Sequence, residues 1–256
     1  MKKMMSKKIR GMLSAMMLGV SLLLVIPASA ATGFTENLNA FDSSKFYRSD
    51  WSNGSDFGVR WKPGNIEFNN GIMALRLDNA GCPSTCDGKP FASGEYVAQE
   101  RYGYGRVEAR MKVAKGTGLV TSLFTYYNPS PDPNISLAHE IDIEILGKDT
   151  TKLETNYFTD GVGGHSTIID LGFDASLDFH DYAFEWSPSY IKWYVDGQLV
   201  HTENGSRGPL PSLPGRIMVN MWAGANAAEQ YWTGKFIYPG SPVRAYYDWI
   251  KFTPAS

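Results

Sequence analysis

Between His139 and Gly147 acidic and aliphatic residues alternate strictly, Glu140, Asp142 and Glu144 against Ile141, Ile143 and Ile145. Alternation at period two is a strand signal, and on an extended chain the three carboxylates share one face while the isoleucines share the other. No Lys or Arg interrupts the acidic row. Carboxylates a few ångströms apart repel, so at least one of the three should have its pKa raised. An ordinary solvated strand face mixes the signs of its charges or uses Ser and Thr; an uncompensated acidic row points to a site. The chemistry that wants paired carboxylates is glycoside hydrolysis, in which they stand about 5–5.5 Å apart for retention of anomeric configuration and roughly 6.5–9.5 Å apart for inversion. Residues i and i+4 of a strand lie ~13 Å apart at Cα. Two long Glu side chains leaning together, helped by curvature or a bulge, close most of that gap, with the shorter Asp142 between them. The spacing leaves retention and inversion both open.

The elements that must carry this strand are strands themselves. Val107, Ala109, Met111 and Val113 alternate with Arg106, Glu108, Arg110 and Lys112. Ile191, Trp193 and Val195 alternate with Lys192 and Tyr194, and Asp196-Gly197 then gives a type I′ hairpin signal before Gln198–His201. Further strand runs cover 72–77, 121–127, 153–158, 182–186, 217–221 and 244–252, and no stretch after residue 30 shows a convincing helical period. The pattern predicts an all-β chain: a two-sheet antiparallel β-sandwich of jelly-roll, concanavalin-like type. About 225 residues beyond a leader suit one such domain, 31–256, with ample core. Trp186, Trp193 and Trp249 fall in strand patterns and are expected to pack.

The motif from Glu140 to Glu144, followed by Leu146-Gly147, resembles the active-site signature of glycoside hydrolase family 16. The likeness extends to Tyr102–Gly105, Gly147–Thr151, Gly161–His165, Leu171–Ser176, Tyr190–Gly197 and Tyr247–Trp249, in order along nearly the whole chain. It is nearest to the bacterial lichenases, endo-β-1,3-1,4-glucanases. The resemblance implies a retaining hydrolase of β-1,4 bonds in mixed-linkage glucan, with Glu140 as nucleophile, Glu144 as acid/base and Asp142 supporting Glu140. It implies substrate contacts at Asn53, Glu95, Phe124, Tyr126, Asn156, Phe158, Asn220 and Trp222; aromatic faces packing on sugar rings beside polar groups that read hydroxyls are the ordinary anatomy of such a site. No cofactor enters that chemistry. A structural calcium is implied on Asp248 and the backbone carbonyls of Gly71 and Asn37, where the family usually has Pro in place of Asn37. The positions corresponding to a family disulfide are Val59 and Ser93, which cannot form one.

Other departures touch binding rather than the catalytic pair. Ala138-His139 stands where lichenases have Trp-Asp, Val97 replaces an Arg, Ser166 replaces an acidic residue, and the loop 128–137 is longer. His139, odd-numbered, is expected to face away from the cleft. Two alternatives follow: depolymerisation of another β-linked polymer, a β-1,3-glucan or a bacterial exopolysaccharide, or a lectin-like sandwich that binds glycans without cutting. The last predicts loss of one Glu, and both are present. His165, His180 and His201 form no triad motif with Ser or Cys, which excludes serine-type hydrolysis.

Residues 1–30 combine Lys2, Lys3, Lys7, Lys8 and Arg10, an apolar run from Met12 to Ile26 and Ala28-Ser29-Ala30, the order of a cleavable secretory signal peptide. Its removal takes the net charge from −2 to about −7, which disfavours nucleic acid or an anionic membrane as partner. The expectation is a secreted monomer, extracellular or, in a Gram-negative source, periplasmic, acting on a polysaccharide. Cys82 and Cys86 share a turn-rich loop; in an exported protein they should pair, closing a loop too short to add much stability.

Overall fold

Period-two sequence becomes paired strand throughout the computed structural model, which describes residues 32–132 and 134–255. The leader expectation for residues 1–30 lies outside the described residues. The strands are β1 (Phe34–Glu36), β2 (Phe46–Arg48), β3 (Val59–Trp61), β4 (Ile66–Asn69), β5 (Ile72–Leu77) and β6 (Phe91–Ser93). They continue with β7 (Glu95–Ala98), β8 (Gly105–Lys112), β9 (Leu119–Tyr127), β10 (His139–Leu146), β11 (Lys152–Phe158) and β12 (Thr167–Asp170). The last are β13 (His180–Ser187), β14 (Tyr190–Val195), β15 (Gln198–Glu203), β16 (Arg216–Ala223) and β17 (Val243–Pro254). One sheet runs β12-β11-β10-β9-β16-β7-β2; the other runs β15-β14-β13-β8-β17-β5-β4, with β1 also on β17. Every pair within these two sheets is antiparallel, so the jelly-roll sandwich is as expected; β3 and β6 form a small parallel pair beside them.

The core lies between the sheets. Ile141, Ile143 and Ile145 of β10 are fully buried, as are Met111, Phe184 and Trp193 from the facing sheet. Two hydrogen bonds cross this core to β10 and its neighbour β9. Trp193 Nε1 donates to the Asp142 carbonyl at 3.0 Å, and Tyr247 Oη donates to the Ser122 carbonyl at 2.8 Å. A buried indole or phenol needs such a partner, and here the partner is the backbone beneath the carboxylate row. Trp186 packs as expected, whereas Trp249 is only half-buried, because a bulge at Asp248 shifts the face that β17 presents.

The Asp196-Gly197 turn has positive φ at both residues, 47° and 77°, the I′ geometry its sequence signals. Asn70-Gly71, at 50° and 80°, makes a second such turn between β4 and β5. The expectation of no helix is corrected by α1 (Ala227–Thr233). Asn226 caps it by accepting from Glu229 N at 2.9 Å, and Gly234 ends it at φ 83°. Seven residues are too few to show a helical period, but the Asn-to-Glu spacing and the following Gly are cap signals. Cys82 and Cys86 are bonded as expected. Val59 and Ser93 lie buried on adjacent β3 and β6, with Val59 facing Phe91 in register.

Candidate active site

The even residues of β10 define the site. Cross-strand register places Glu140 between Tyr126 of β9 and Phe158 of β11, Asp142 between Phe124 and Asn156, and Glu144 between Ser122 and Glu154. Residues directly opposite in a ladder point to the same face. The rows extend across β16 to β7: Ser122 faces Asn220, which faces Glu95, and Phe124 faces Met218, which faces Val97. A cavity of about 360 Å³ opens over these rows. Its floor holds Glu140, Asp142 and Glu144, and its walls include Trp51, Phe57, Phe124, Tyr126 and Trp222. Trp222 packs at 4.5 Å between ring centroids on Phe57 and at 5.9 Å on Trp232.

Six of the eight expected substrate contacts line this cavity: Asn53, Glu95, Phe124, Tyr126, Asn220 and Trp222. Asn156 and Phe158 sit one strand out on the same face but not on its wall. Asn156 Oδ1 accepts from His165 N at 3.2 Å, and Gly163 lies so close on the Phe158 ring that a side chain there would strike it. Trp51, Phe57, Ser122 and Met218 line the cavity without having been expected. Ser122 and Met218 follow from extending the period-two rows sideways; Trp51 and Phe57 come from an irregular segment with no periodicity to read. His139 faces away, as expected: its ring meets Asp160 at 3.2 Å and accepts from Ser212 N at 3.0 Å.

Among the described residues, no cationic side chain lines the cavity. Burial without a counter-charge therefore raises the carboxylates. Burial drives Glu140 up to about 7, against a hydrogen bond from Asp142 that lowers it. Burial and then the charges of Glu140 and Glu144 push Asp142 well above the usual range. Burial and the charges of Glu140, Glu154 and Glu229 push Glu144 to about 8. The hydrogen bond between Asp142 and Glu140 favours the proton on Asp142 and the charge on Glu140. Glu95 is also raised by burial, opposed by Ser49 Oγ, which donates at 2.7 Å, and Asn220 Nδ2 at 3.2 Å. Ser122 Oγ donates to Asn220 Oδ1 at 2.5 Å, which turns the Asn220 amide toward Glu95.

The positions expected to hold calcium are neighbours in the register of the other sheet. Asp248 is the bulge residue of β17, between the segment paired with β5, which starts just after Gly71, and the segment paired with β1, which ends just before Asn37. One carboxylate and two carbonyls fit a hard oxygen-seeking ion that takes 6–8 oxygens, water supplying the rest. Arg110 Nε lies 3.5 Å from Asp248 Oδ2, so one carboxylate oxygen already faces a cation.

A β-sandwich with uncompensated paired carboxylates on the floor of an aromatic-walled cleft defines a carbohydrate-cleaving enzyme. Residues 53–251 match the family described as glycosyl hydrolases family 16. A β-glucanase of Paenibacillus polymyxa is 47% identical over 236 residues, 91% of this chain and 93% of that one. A β-glucanase of Bacillus subtilis is 44% identical over 231 residues, 88% of this chain and 89% of that one. Among solved structures, a β-1,3-1,4-glucanase (lichenase) from a mouse hindgut metagenome superposes with TM-score 0.79 at 41% identity, covering 88% of this chain and all of that one. The chain belongs to glycosyl hydrolase family 16, and it is a glycoside hydrolase.

Proposed function

We propose that this enzyme is an exported endo-β-glucanase that cuts β-1,4 bonds in mixed-linkage β-1,3-1,4-glucan with retention of configuration. The observation that carries the reading is the carboxylate trio, its proton affinities raised by burial, on the floor of a cleft walled by aromatic rings. The β-glucanase and lichenase names of relatives above 40% identity support the polymer. In the first step Glu140 attacks the anomeric carbon while Glu144 gives its proton to the departing oxygen. The Asp142 hydrogen bond, which lowers the proton affinity of Glu140, suits a nucleophile; burial and the charges of Glu140, Glu154 and Glu229, which raise that of Glu144, suit an acid. In the second step Glu144, now a carboxylate, takes a proton from water, which releases the glycosyl group from Glu140. Trp222 and Phe57 offer ring faces to glucosyl units, while Glu95, Asn220 and Asn53 offer partners for hydroxyls.

Export rests on the leader pattern of residues 1–30; among the described residues no helix is long and apolar enough to cross a membrane. Calcium bound at Asp248, Gly71 and Asn37 would tie β5 to β17 and take no part in the reaction. A second reading, another β-linked polymer, is favoured by Val97. It is fully buried beside Met218 in the floor row where the family resemblance implies a guanidinium. Reducing-sugar release on lichenan, laminarin and carboxymethylcellulose, with linkage analysis of the products, decides between them. The leading reading expects lichenan to be cut best, at β-1,4 bonds; preferred cleavage of laminarin would overturn it.

A further inference from the structure

The cleft wall formed by residues 50–57 is fastened at its two ends in different ways. Its inner end is tied to β16 and the start of α1. Phe57 bridges Gly224, Gly58 N donates to the Ala223 carbonyl at 2.7 Å, and Ala225 N donates to the Asp56 carbonyl at 2.9 Å. The outer end, which carries Trp51 and Asn53, projects toward solvent, and Trp51 is 45% exposed. Backbone ties reach it from β3, where Ser52 bridges Arg60 and Trp61 N donates to the Trp51 carbonyl at 2.9 Å. Its side-chain ties come from Arg60 of β3 and from Asp87 and Lys89, which follow the turn that Cys82–Cys86 closes. Asp87 accepts from Ser52 Oγ at 2.7 Å and from the Arg60 guanidinium, whose Nη2 also bonds Asp50 at 2.8 Å. Lys89 Nζ donates to the carbonyls of Gly54 at 2.5 Å and Phe57 at 2.8 Å. On the other side of the turn, Thr85 Oγ1 accepts from Lys62 Nζ at 2.8 Å.

A chain bearing Gly, Ser and Asn at 52–55 has little conformational preference of its own. Isolated from these partners, the outer end would sample many positions, and ordering it on substrate would cost affinity. We propose that the Cys82–Cys86 turn is a clamp that pre-positions the substrate-binding wall, with Asp87 and Lys89 as positioning residues that act through Trp51 and Asn53. Asp87, just past the disulfide, is in the left-handed conformation at φ 51°, and Gly88 N to the Pro83 carbonyl at 3.2 Å and Lys89 N to the Cys86 carbonyl at 2.8 Å tie the chain around it back to the bridged turn. None of these groups reaches the carboxylate trio, so the clamp governs how polymer is held and not how the bond is cut. Its role in catalysis rests on the glucanase reading above; its role in ordering the wall does not.

The test compares wild type with Asp87→Asn, Lys89→Met and the double variant Cys82→Ala/Cys86→Ala. Hydrogen–deuterium exchange across residues 50–58 and steady-state kinetics on soluble mixed-linkage glucan are the two readouts. The expected result is faster exchange confined to 50–58 and KM raised about 3- to 10-fold, with kcat within about twofold, as for loss of binding that is uniform between ground and transition states. Unchanged exchange at 50–58, exchange quickened throughout the chain, or kcat lost at constant KM would each overturn the clamp. If wild type fails to cut mixed-linkage glucan, the functional reading fails, and the exchange at 50–58 alone decides the clamp. Should the cysteine variant not fold, the two point variants, which keep the disulfide, decide it.

Discussion

Glu154 stands directly opposite Glu144 in the β10–β11 register, and its carboxylate accepts a 2.8 Å hydrogen bond from Trp232 Nε1 of α1. The charge nearest the proposed acid on this side is therefore fixed by an aromatic ring that itself packs on Trp222 in the cleft. From α1, Glu229 adds a second like charge; along β10 stand Glu140 and Asp142, and the facing β9 residue is the neutral Ser122. The acid's raised proton affinity thus comes from its burial and from charges on β10, β11 and α1, not from β10 alone.

Neutralising Glu154 should make Glu144 a stronger acid. An acid catalyst must hold its proton, so activity falls as pH rises past its pKa; removing a neighbouring negative charge lowers that pKa. Glu154→Gln is expected to move the alkaline limb of the kcat/KM profile downward and to leave the acidic limb nearly in place. Because the carboxylates titrate together, the limbs belong to the coupled set. Trp232→Phe, which keeps the Glu154 charge, should leave the alkaline limb nearer its wild-type position. An alkaline limb unmoved in Glu154→Gln would show that Glu154 does not act on the acid.

Much of this site was legible in one dimension, and the reason is geometric. The even and odd residues of β10 must part to opposite faces, so the acidic cleft face and isoleucine core face follow from alternation alone. Glu95, Asn220 and Trp222 carried no such signal; they were reached through resemblance, and register explains why they converge. Glu154 is a different case. It occupies the same face as Asn156 by period two, yet its significance depends on Trp232, 78 residues later, in a helix too short to show a period. Trp51 and Phe57 lie on an irregular wall held by long-range contacts, and the three- and four-residue strands β1, β2, β3, β4, β6, β7 and β12 are too short for alternation to stand out.

The same burial that tunes the site should cost stability at alkaline pH. Glu144 has an unperturbed value of 4.5 and a folded value of about 8. A carboxyl raised in the folded state contributes stability that is fully present below the unfolded pKa and is lost as pH rises through the folded one. Glu144→Gln removes the titration, so its melting temperature should match wild type near pH 4 and exceed it increasingly between pH 4.5 and 8. Scanning calorimetry across that range checks the prediction. A variant less stable than wild type at pH 8 would mean that the charged carboxylate is satisfied in the fold.

Calcium should act on stability and not on turnover. An ion that binds the folded chain at about 100 times its Kd adds ~2.7 kcal/mol. Against a chelator-treated sample, millimolar calcium is expected to raise Tm by several degrees in wild type and not in Asp248→Asn, with kcat equal at temperatures where both forms are folded. A Tm indifferent to calcium in wild type would remove the proposed site.

The two glutamates proposed as nucleophile and acid should be separable by the configuration of rescued products. Glu140→Ala removes the attacking carboxylate and leaves space beneath the anomeric carbon, next to Asp142, while Glu144 still supplies a proton. Added azide or formate can occupy that space and attack from the vacated side, a single displacement that gives an α-configured product from a β-glucoside. Glu144→Ala leaves the nucleophile in place. The first step then survives best on substrates whose leaving group needs no proton, and the covalent intermediate waits for a nucleophile that needs no general base. Azide, already an anion, meets that need and displaces Glu140 from the opposite face, so two inversions give a β-configured product. Either change should lower turnover on polymer by at least ~10²-fold, the lower end for a positioned acid or base. Nuclear magnetic resonance of the azide adducts distinguishes the outcomes. The reverse pairing of products would exchange the two roles, and near-normal polymer turnover in either variant would remove that glutamate from the mechanism.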